Sequence, residues 1–381
     1  MKYIDEFRNG TVAAGISKKI ASLVEGHDRI TVMEVCGSHT MSIYRYGLKN
    51  LLPKNLRLLS GPGCPVCVTS TSYIDTAIAM VQKTNSRSVS EKEVLVTTFG
   101  DMMKVPGSSS SLEKERAKGA AVAVVYSTLD ALRLAEKHPD KQIVFLAIGF
   151  ETTAPTIAAS IIEAERRRLK NYFVLTAHKV MPPVMQALLK DRDLDLDGFL
   201  CPAHVSTIIG SRPYEFIAQE FHIPCVIAGF EPLDILLGIY MLIEQIVKKE
   251  ASVKIQYSRV AREDGNQKAL SLLERVFEPC DVEWRGLGLI PKSGLKLRGV
   301  YATYDALSVF RISDFGFRIN PEIRNPKSEI NGCICGDILR GIKMPSECKL
   351  FKKVCNPEHP VGACMVSNEG TCAAWYKYGE T

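Results

Sequence analysis

The sequence predicts an α/β protein: parallel sheets covered by helices, followed by a small cysteine-rich unit. Three observations lead there. Short apolar runs of four to seven residues recur through the first two thirds of the chain, each followed by a turn and a helical stretch. The runs are largely apolar rather than alternating, as strands buried on both faces should be. Six of the twelve cysteines fall in the last fifty residues.

Taken in order, the first twenty-five residues read as an amphipathic helix, with Ile4, Phe7, Ile16, Ile20 and Leu23 among polar residues. Strands are expected at Ile30–Val35, Leu56–Leu59, Val94–Thr98, Val122–Tyr126 and Ile143–Ile148. A second set follows at Tyr172–Leu175, Phe199–Leu200 and Cys225–Ala228, then a strongly apolar helix over Leu233–Val247. Ala147-Ile148-Gly149-Phe150-Glu151 resembles Ile227-Ala228-Gly229-Phe230-Glu231, and Ala177-His178 resembles Ala203-His204. Two related α/β units would account for this, and so would the ordinary recurrence of strand-glycine-helix turns. From about Cys280 to Asp314 the composition suggests irregular strands and loops. The final unit has few apolar residues, so bound metal rather than a large core is expected to hold it together.

At 381 residues the chain can form two or three domains, and 46% apolar with 24% charged residues is the balance of a soluble globular protein. The net charge of +6 is mild and its basic residues dispersed, apart from Arg166-Arg167-Arg168, which gives nucleic-acid binding no support. Met1 to Gly10 lacks the apolar core of a signal peptide, and no eighteen-residue apolar run is free of charge. A cytoplasmic protein without a membrane span is expected. In a reducing compartment twelve cysteines point to metal binding or redox chemistry rather than a disulfide framework.

In open parallel sheets, ligands bind where the turns at the carboxyl ends of the strands converge. Those turns carry Cys36 and His39 after the first strand, and Gly61-Pro62-Gly63-Cys64-Pro65-Val66-Cys67 after the second. Asp101 follows the third strand, and Thr152 and Thr153 follow the fifth. Each has a plainer reading: Cys36 as a buried hydrophobe, His39 as a hydrogen-bonded histidine, Asp101 as a helix cap. Together, three thiols and an imidazole on one rim suit iron, copper or zinc. Cys64 and Cys67, two residues apart, suit one metal or a reversible disulfide. No complete Gly-x-Gly-x-x-Gly, phosphate loop or nucleophile elbow is present. The C-terminal cysteines Cys333, Cys335, Cys348, Cys355, Cys364 and Cys372 form only one close pair, where zinc sites usually show two. An iron–sulfur cluster, zinc and redox-labile thiols all remain open on spacing alone.

These motifs together carry a resemblance over essentially the whole chain. Cys36-Gly37-Ser38-His39-Thr40, the Gly61–Cys67 loop, Thr98-Phe99-Gly100-Asp101-Met102-Met103 with Val105-Pro106-Gly107-Ser108, and Gly149-Phe150-Glu151-Thr152-Thr153-Ala154-Pro155-Thr156 occur in order. Cys335-Gly336-Asp337-Ile338-Leu339-Arg340-Gly341, Pro360-Val361-Gly362-Ala363-Cys364-Met365-Val366-Ser367, Glu369-Gly370 and Cys372-Ala373-Ala374 follow. The chain resembles the HypD family of hydrogenase maturation proteins, which take part in building the Fe(CN)2CO group of [NiFe]-hydrogenases. The resemblance implies two Rossmann-like parallel-sheet domains of similar fold and a small C-terminal iron–sulfur domain, here expected over 1–147, 148–280 and 281–381. It implies a [4Fe-4S] cluster on Cys335, Cys348, Cys355 and Cys372, with Cys333 and Cys364 as a redox pair beside it. It further implies Cys36 as the ligand of the Fe(CN)2CO iron and Cys64–Cys67 as a redox-active pair. His39, Asp101, Thr152, Thr153 and Glu369 are expected to orient groups or move protons. The implied partners are HypC, a small chaperone-like protein, and HypE, a cyanide donor. A free-standing cluster-dependent thiol–disulfide oxidoreductase and a zinc-stabilised interaction module are the competing readings.

Overall fold

The computed structural model describes residues 5–84, 92–191, 193–310 and 332–379. Its strands are β1 (Ile30–Glu34), β2 (Leu56–Ser60), β3 (Val94–Thr98), β4 (Val122–Val124), β5 (Gln142–Ala147), β6 (Tyr172–Thr176), β7 (Gly198–Pro202), β8 (Cys225–Ala228), β9 (Val253–Ile255), β10 (Phe277–Trp284) and β11 (Gly288–Leu297). They form a five-stranded parallel sheet ordered β2-β1-β7-β8-β9, a four-stranded parallel sheet ordered β4-β3-β5-β6, and an antiparallel hairpin of β10 and β11. The parallel α/β class expected from the apolar runs is present twice.

Both parallel sheets have one topology. Numbered by their own succession in the chain, the strands run 2-1-3-4-5 in the larger sheet and 2-1-3-4 in the smaller, a doubly wound order whose switch point lies between strands 1 and 3. The smaller sheet is inserted between β2 and β7 of the larger. A division at residue 148 therefore falls inside the four-stranded sheet, between β5 and β6, while β1, with β2 at its outer edge, pairs with β7 beyond residue 197. The short sequence likenesses do not mark equivalent strands. Gly149-Phe150-Glu151 follows the third strand of its sheet and Gly229-Phe230-Glu231 the fourth, and the two Ala-His pairs are crossed in the same way. Recurrent turn chemistry, not positional equivalence, produced them.

Local sequence explains the ends of the elements. The N-terminal helix runs Gly10–Val24, because Asn9 accepts from the N–H groups of Thr11 and Val12 at 3.0 and 3.2 Å; residues 1–4 of the expected helix lie outside the described residues. Strand β4 stops before Tyr126, since Ser127 and Asp130 form a capping box that opens the next helix. Helix Pro232–Val247 is apolar on most sides because it is covered on both: the sheet residues Leu200, Val226 and Ala228 lie under it, and Ile16, Ile20 and Val24 of the first helix share its cluster. No described helix is long and apolar enough to cross a membrane.

The region expected to be irregular after Cys280 begins instead with a regular hairpin. Its alternation was hidden by Pro279, Pro291 and several glycines, and by a bulge between Cys280 and Val282. Beyond Phe310, the stretch to Asp314 lies outside the described residues. The hairpin ties the two parallel sheets together: Trp284 bridges to Thr69 after β2, and Gly294 bridges to Lys179 after β6. One buried cluster, which includes Met33, Cys67, Val96, Leu146, Trp284 and Met365, runs between the sheets and into the C-terminal unit.

The Gly61–Gly63 loop shows how tightly these parts meet. A methyl group on Gly63 would lie 2.3 Å from the amide nitrogen and 2.4 Å from Cα of Cys36, so only a residue without Cβ fits. Backbone atoms cannot step aside as a side-chain tip can. Gly63→Ala should therefore lower unfolding stability by about 2 kcal/mol or more, whereas Gly10→Ala, with nothing within 4 Å, should not show that loss. Urea unfolding of both variants checks this, and equal stabilities would contradict it.

Candidate functional site

Cys36 closes β1 at the switch point of the five-stranded sheet, where β1 and β7 are neighbours and their following turns part. It is the N-cap of helix Gly37–Arg45 and is buried. The loop after β2 is laced to it, with Gly61 N–H donating to Glu34 O at 2.8 Å and Gly37 N–H to Gly63 O at 3.2 Å. The thiol is pushed up to about 12, first by burial and then by the nearby carboxylates Glu369 and Glu34, while the N–H groups of Ser38 and His39 act in the opposite sense. Cys36 is therefore a neutral thiol at physiological pH, and a cation would displace its proton.

His39, three residues on, is fully buried. Its Nε2 lies 3.0 Å from both Ala228 O and Gly229 O at the end of β8. Carbonyls only accept, so Nε2 carries the proton and Nδ1 the lone pair. Nδ1 is buried without a hydrogen-bond partner, and burial lowers the imidazole to about 4, keeping it neutral. A neutral ring with a bare, oriented nitrogen suits metal ligation or proton acceptance. The Phe230 ring packs against it at a tilt, ring centroids 4.8 Å apart, and against His204 at 4.1 Å.

Cys64 and Cys67 lie at disulfide distance, with Cα atoms 5.3 Å apart. Cys64 caps the short helix Pro65–Val68, its Sγ accepting from Cys67 N–H at 3.3 Å. The turn Ala363–Met365, which carries Cys364, packs on this helix. Glu369 reaches the other side of the site, accepting from Ser38 Oγ at 2.6 Å. A methyl group on Gly37 would lie 2.5 Å from Glu369 Cβ. Helix Thr371–Tyr378 packs along helix Gly37–Arg45, with the Tyr44 and Trp375 rings 5.7 Å apart.

All six C-terminal cysteines line one small cavity with Ile338, Leu350, Phe351, Gly362 and Met365. Cys335 interacts with both Cys333 and Cys364. Cys372 is held well above the usual thiol range by burial, then by the proximity of Cys335, Cys333, Cys355 and Cys348. Among the described residues no three His, Cys, Asp or Glu side chains are gathered at metal-binding spacing. The donor set itself, six sulfurs around an apolar cavity, fits a soft metal cluster.

The other expected residues sit on the second sheet. Asp101 is exposed on the turn Gly100–Met102 after β3. Thr152 and Thr153 follow β5, and Thr153 Oγ1 donates to Phe150 O at 3.1 Å within its own turn. The single rim expected from consecutive strands is thus two rims, because β1, with β2 at its outer edge, pairs with β7 rather than with β3.

Residues 11–379 match the HypD family, described as the hydrogenase formation hypA family. The chain belongs to the HypD family. It is 46% identical to the hydrogenase maturation factor HypD2 of Bradyrhizobium diazoefficiens, over 100% of this chain and 97% of that protein. Similarity to the maturation factor HypD of Rhizobium leguminosarum bv. viciae is 46% over 100% and 96%. To a putative hydrogenase expression/formation protein of Methanocaldococcus jannaschii it is 44% over 94% and 95%. HypD membership therefore spans both sheets, the hairpin and the cysteine cavity together.

Reading by motif passed over Glu34, although it is the lone carboxylate closing an otherwise apolar strand. Its Oε2 accepts Cys36 N–H at 3.2 Å, and its Oε1 accepts the Thr40 hydroxyl. Burial raises its carboxyl from 4.5 to about 8, against hydrogen bonds from Thr40, Ser60 and Cys36. Between those two values the folded chain holds a proton that the unfolded chain has lost, so stability falls as pH rises through that window. Glu34→Gln should remove that falling contribution to the unfolding free energy between pH 5 and 8, measured by urea titration at each pH. Glu151, raised by burial to about 7, acts in the same sense, while His39 and His178, lowered by burial to about 4 and about 3, act in the opposite sense below the ordinary imidazole value. An unchanged slope would show that Glu34 is not protonated in the fold.

Proposed function

We propose that this chain is a redox-active scaffold on which the Fe(CN)2CO group of [NiFe]-hydrogenases is assembled, working with HypC and HypE, rather than an enzyme with its own turnover. One observation carries the reading: Cys36 and the Cys64–Cys67 turn are in direct backbone contact, and the C-terminal cysteine unit is packed over both. That contact supports a reading in which an iron site, a two-electron couple and an electron store lie side by side.

In this reading Cys36 loses its proton and holds the iron being built, with the bare Nδ1 of His39 as a further ligand or as the acceptor of a proton. HypC would share the iron, and HypE would deliver cyanide as a thiocyanate. Freeing cyanide from a thiocyanate requires two electrons. Cys64 and Cys67 as a dithiol hold two electrons and two protons, and closing to the disulfide releases both. Glu369, hydrogen-bonded to Ser38, links the C-terminal unit to this crevice. Asp101, Thr152 and Thr153 serve to orient incoming groups from the second rim.

Cys335, Cys348, Cys355 and Cys372 would hold a [4Fe-4S] cluster, leaving Cys333 and Cys364 as the pair beside it. When bound, the cluster supplies electrons one at a time. A free-standing thiol–disulfide oxidoreductase would use the same disulfide but has no task for Cys36 or for the oriented lone pair of His39.

In a host lacking its own copy, this chain should restore [NiFe]-hydrogenase activity, and Cys36→Ala and Cys372→Ser should each reduce it at least a hundredfold. Anaerobically purified wild type should contain iron and acid-labile sulfide, and Cys372→Ser should lose both. Full restoration by Cys36→Ala would favour the oxidoreductase. Zinc without sulfide in the wild type would favour a zinc-stabilised module.

A further inference from the structure

The carbonyls that fix the His39 tautomer are themselves held by a chain of hydrogen bonds that runs out to the surface. His39 Nε2 donates toward Ala228 O and Gly229 O, each at 3.0 Å. Ala228 O and the Gly229 N–H belong to one planar peptide unit. That N–H donates at 3.1 Å to Oε1 of Gln256, the residue after β9. Gln256 Nε2 in turn donates to Asp234 Oδ1 at 3.0 Å. Asp234 is fully buried in the first turn of the helix Pro232–Val247, and Arg259 closes its carboxylate, with Nη1 donating to Oδ1 at 2.8 Å. The Arg259 guanidinium lies over the rings of Phe7 and Tyr257, 4.3 Å from each centroid. The peptide at the middle of this chain is closely confined. A methyl group on Gly229 would lie 2.3 Å from Asp234 Oδ2 and 2.7 Å from Tyr257 Cδ2.

Every donor in the chain points the same way. A carboxylate only accepts, so Gln256 must turn its amide N–H groups to Asp234 and its carbonyl to Gly229. The Ala228–Gly229 peptide then has both polar groups engaged, and the bond its N–H makes to Gln256 strengthens its carbonyl as the acceptor for His39. Asp234 already has Arg259 as its counter-charge, so neutralising that carboxylate does not call for the amide. What the amide adds is the link to Gly229. Without it the Gly229 N–H would lose its partner, and the peptide could rotate and carry Ala228 O away from Nε2.

We propose that Gln256 is a positioning residue for His39, holding the Ala228–Gly229 peptide so that Nε2 carries the proton and Nδ1 stays bare. The inference rests on the proposed use of that Nδ1 as an iron ligand or proton acceptor. It gives the lone pair a determinant outside every motif that carries the family resemblance.

The test uses the full-length chain, labelled with nitrogen-15 in its histidine rings and expressed without HypC or HypE. Long-range proton–nitrogen correlation spectra at neutral pH, with His39→Asn identifying the signals, report which ring nitrogen is protonated. Wild type should show the Nε2–H form alone. In Gln256→Met the Nδ1–H form should rise to about a tenth of the population or more, the change expected from losing roughly one hydrogen bond. Arg8→Ala removes the ion pair to Glu231 in the same loop but leaves the Ala228–Gly229 peptide untouched, and should keep the single form. An unmixed Nε2–H signal in Gln256→Met overturns the proposal, as does a wild type that is already mixed. Equal mixing in Arg8→Ala overturns it too, because any loosening of the loop would then suffice. Should Gln256→Met fail to fold, Gln256→Asn is read in its place, since its shorter amide cannot span Gly229 and Asp234. Restoration of hydrogenase activity by the same variants separates the two readings. Mixed tautomers with full restoration defeat the use of Nδ1, whereas an unmoved tautomer defeats only this inference.

Discussion

The contact between Gly63 and the backbone of Cys36 is the constraint on which the site depends. Two turns from neighbouring strands approach until no side chain fits between them. That approach brings a thiol and a disulfide within one buried patch, and it leaves the thiol without solvent. The same device recurs at Gly37 against Glu369, so the C-terminal unit meets the site through backbone proximity as well. Close contact of this kind tolerates little motion, which suits the proposed role of holding an unfinished metal group away from water.

Electrostatics follow from that burial. Burial first, and the carboxylates facing Cys36 after it, push the Cys36 thiol and the Glu34 carboxyl toward their neutral forms. His39 is neutral for the same reason and has its tautomer set by two carbonyls of the loop after β8. Neutral donors held in place are a suitable empty state for a soft cation, whose arrival would displace protons rather than rearrange the chain. The second sheet has the same strand order, but its switch point carries an exposed Asp101 and a self-bonded Thr153 instead of thiols. One topology thus supports two differently furnished rims.

Much of this was legible in the residues. Apolar runs located β1, β3, β5, β6 and β8 nearly to their ends, and the spacing of Cys64 and Cys67 allowed the disulfide distance at which the fold holds them. The partnership of strands was not legible, because β1 chooses β7 across an inserted sheet, and no local pattern records a pairing so distant in the chain. The hairpin after Phe277 was missed because a bulge and two prolines break its alternation. Glu34 was passed over since its role depends on what covers it, and burial is a property of the assembled fold. The five-residue likeness at Gly149 and Gly229 invited an equivalence that the strand order does not support.

The central claim is that Cys36 holds the iron on which the diatomic ligands are mounted. Infrared spectroscopy of the anaerobically purified complex with the proposed small partner HypC, in the cyanide and carbonyl stretching region, addresses it most directly. The account predicts cyanide and carbonyl bands from the wild-type complex and none from Cys36→Ala isolated with the same partner. Bands of undiminished intensity in Cys36→Ala would contradict it.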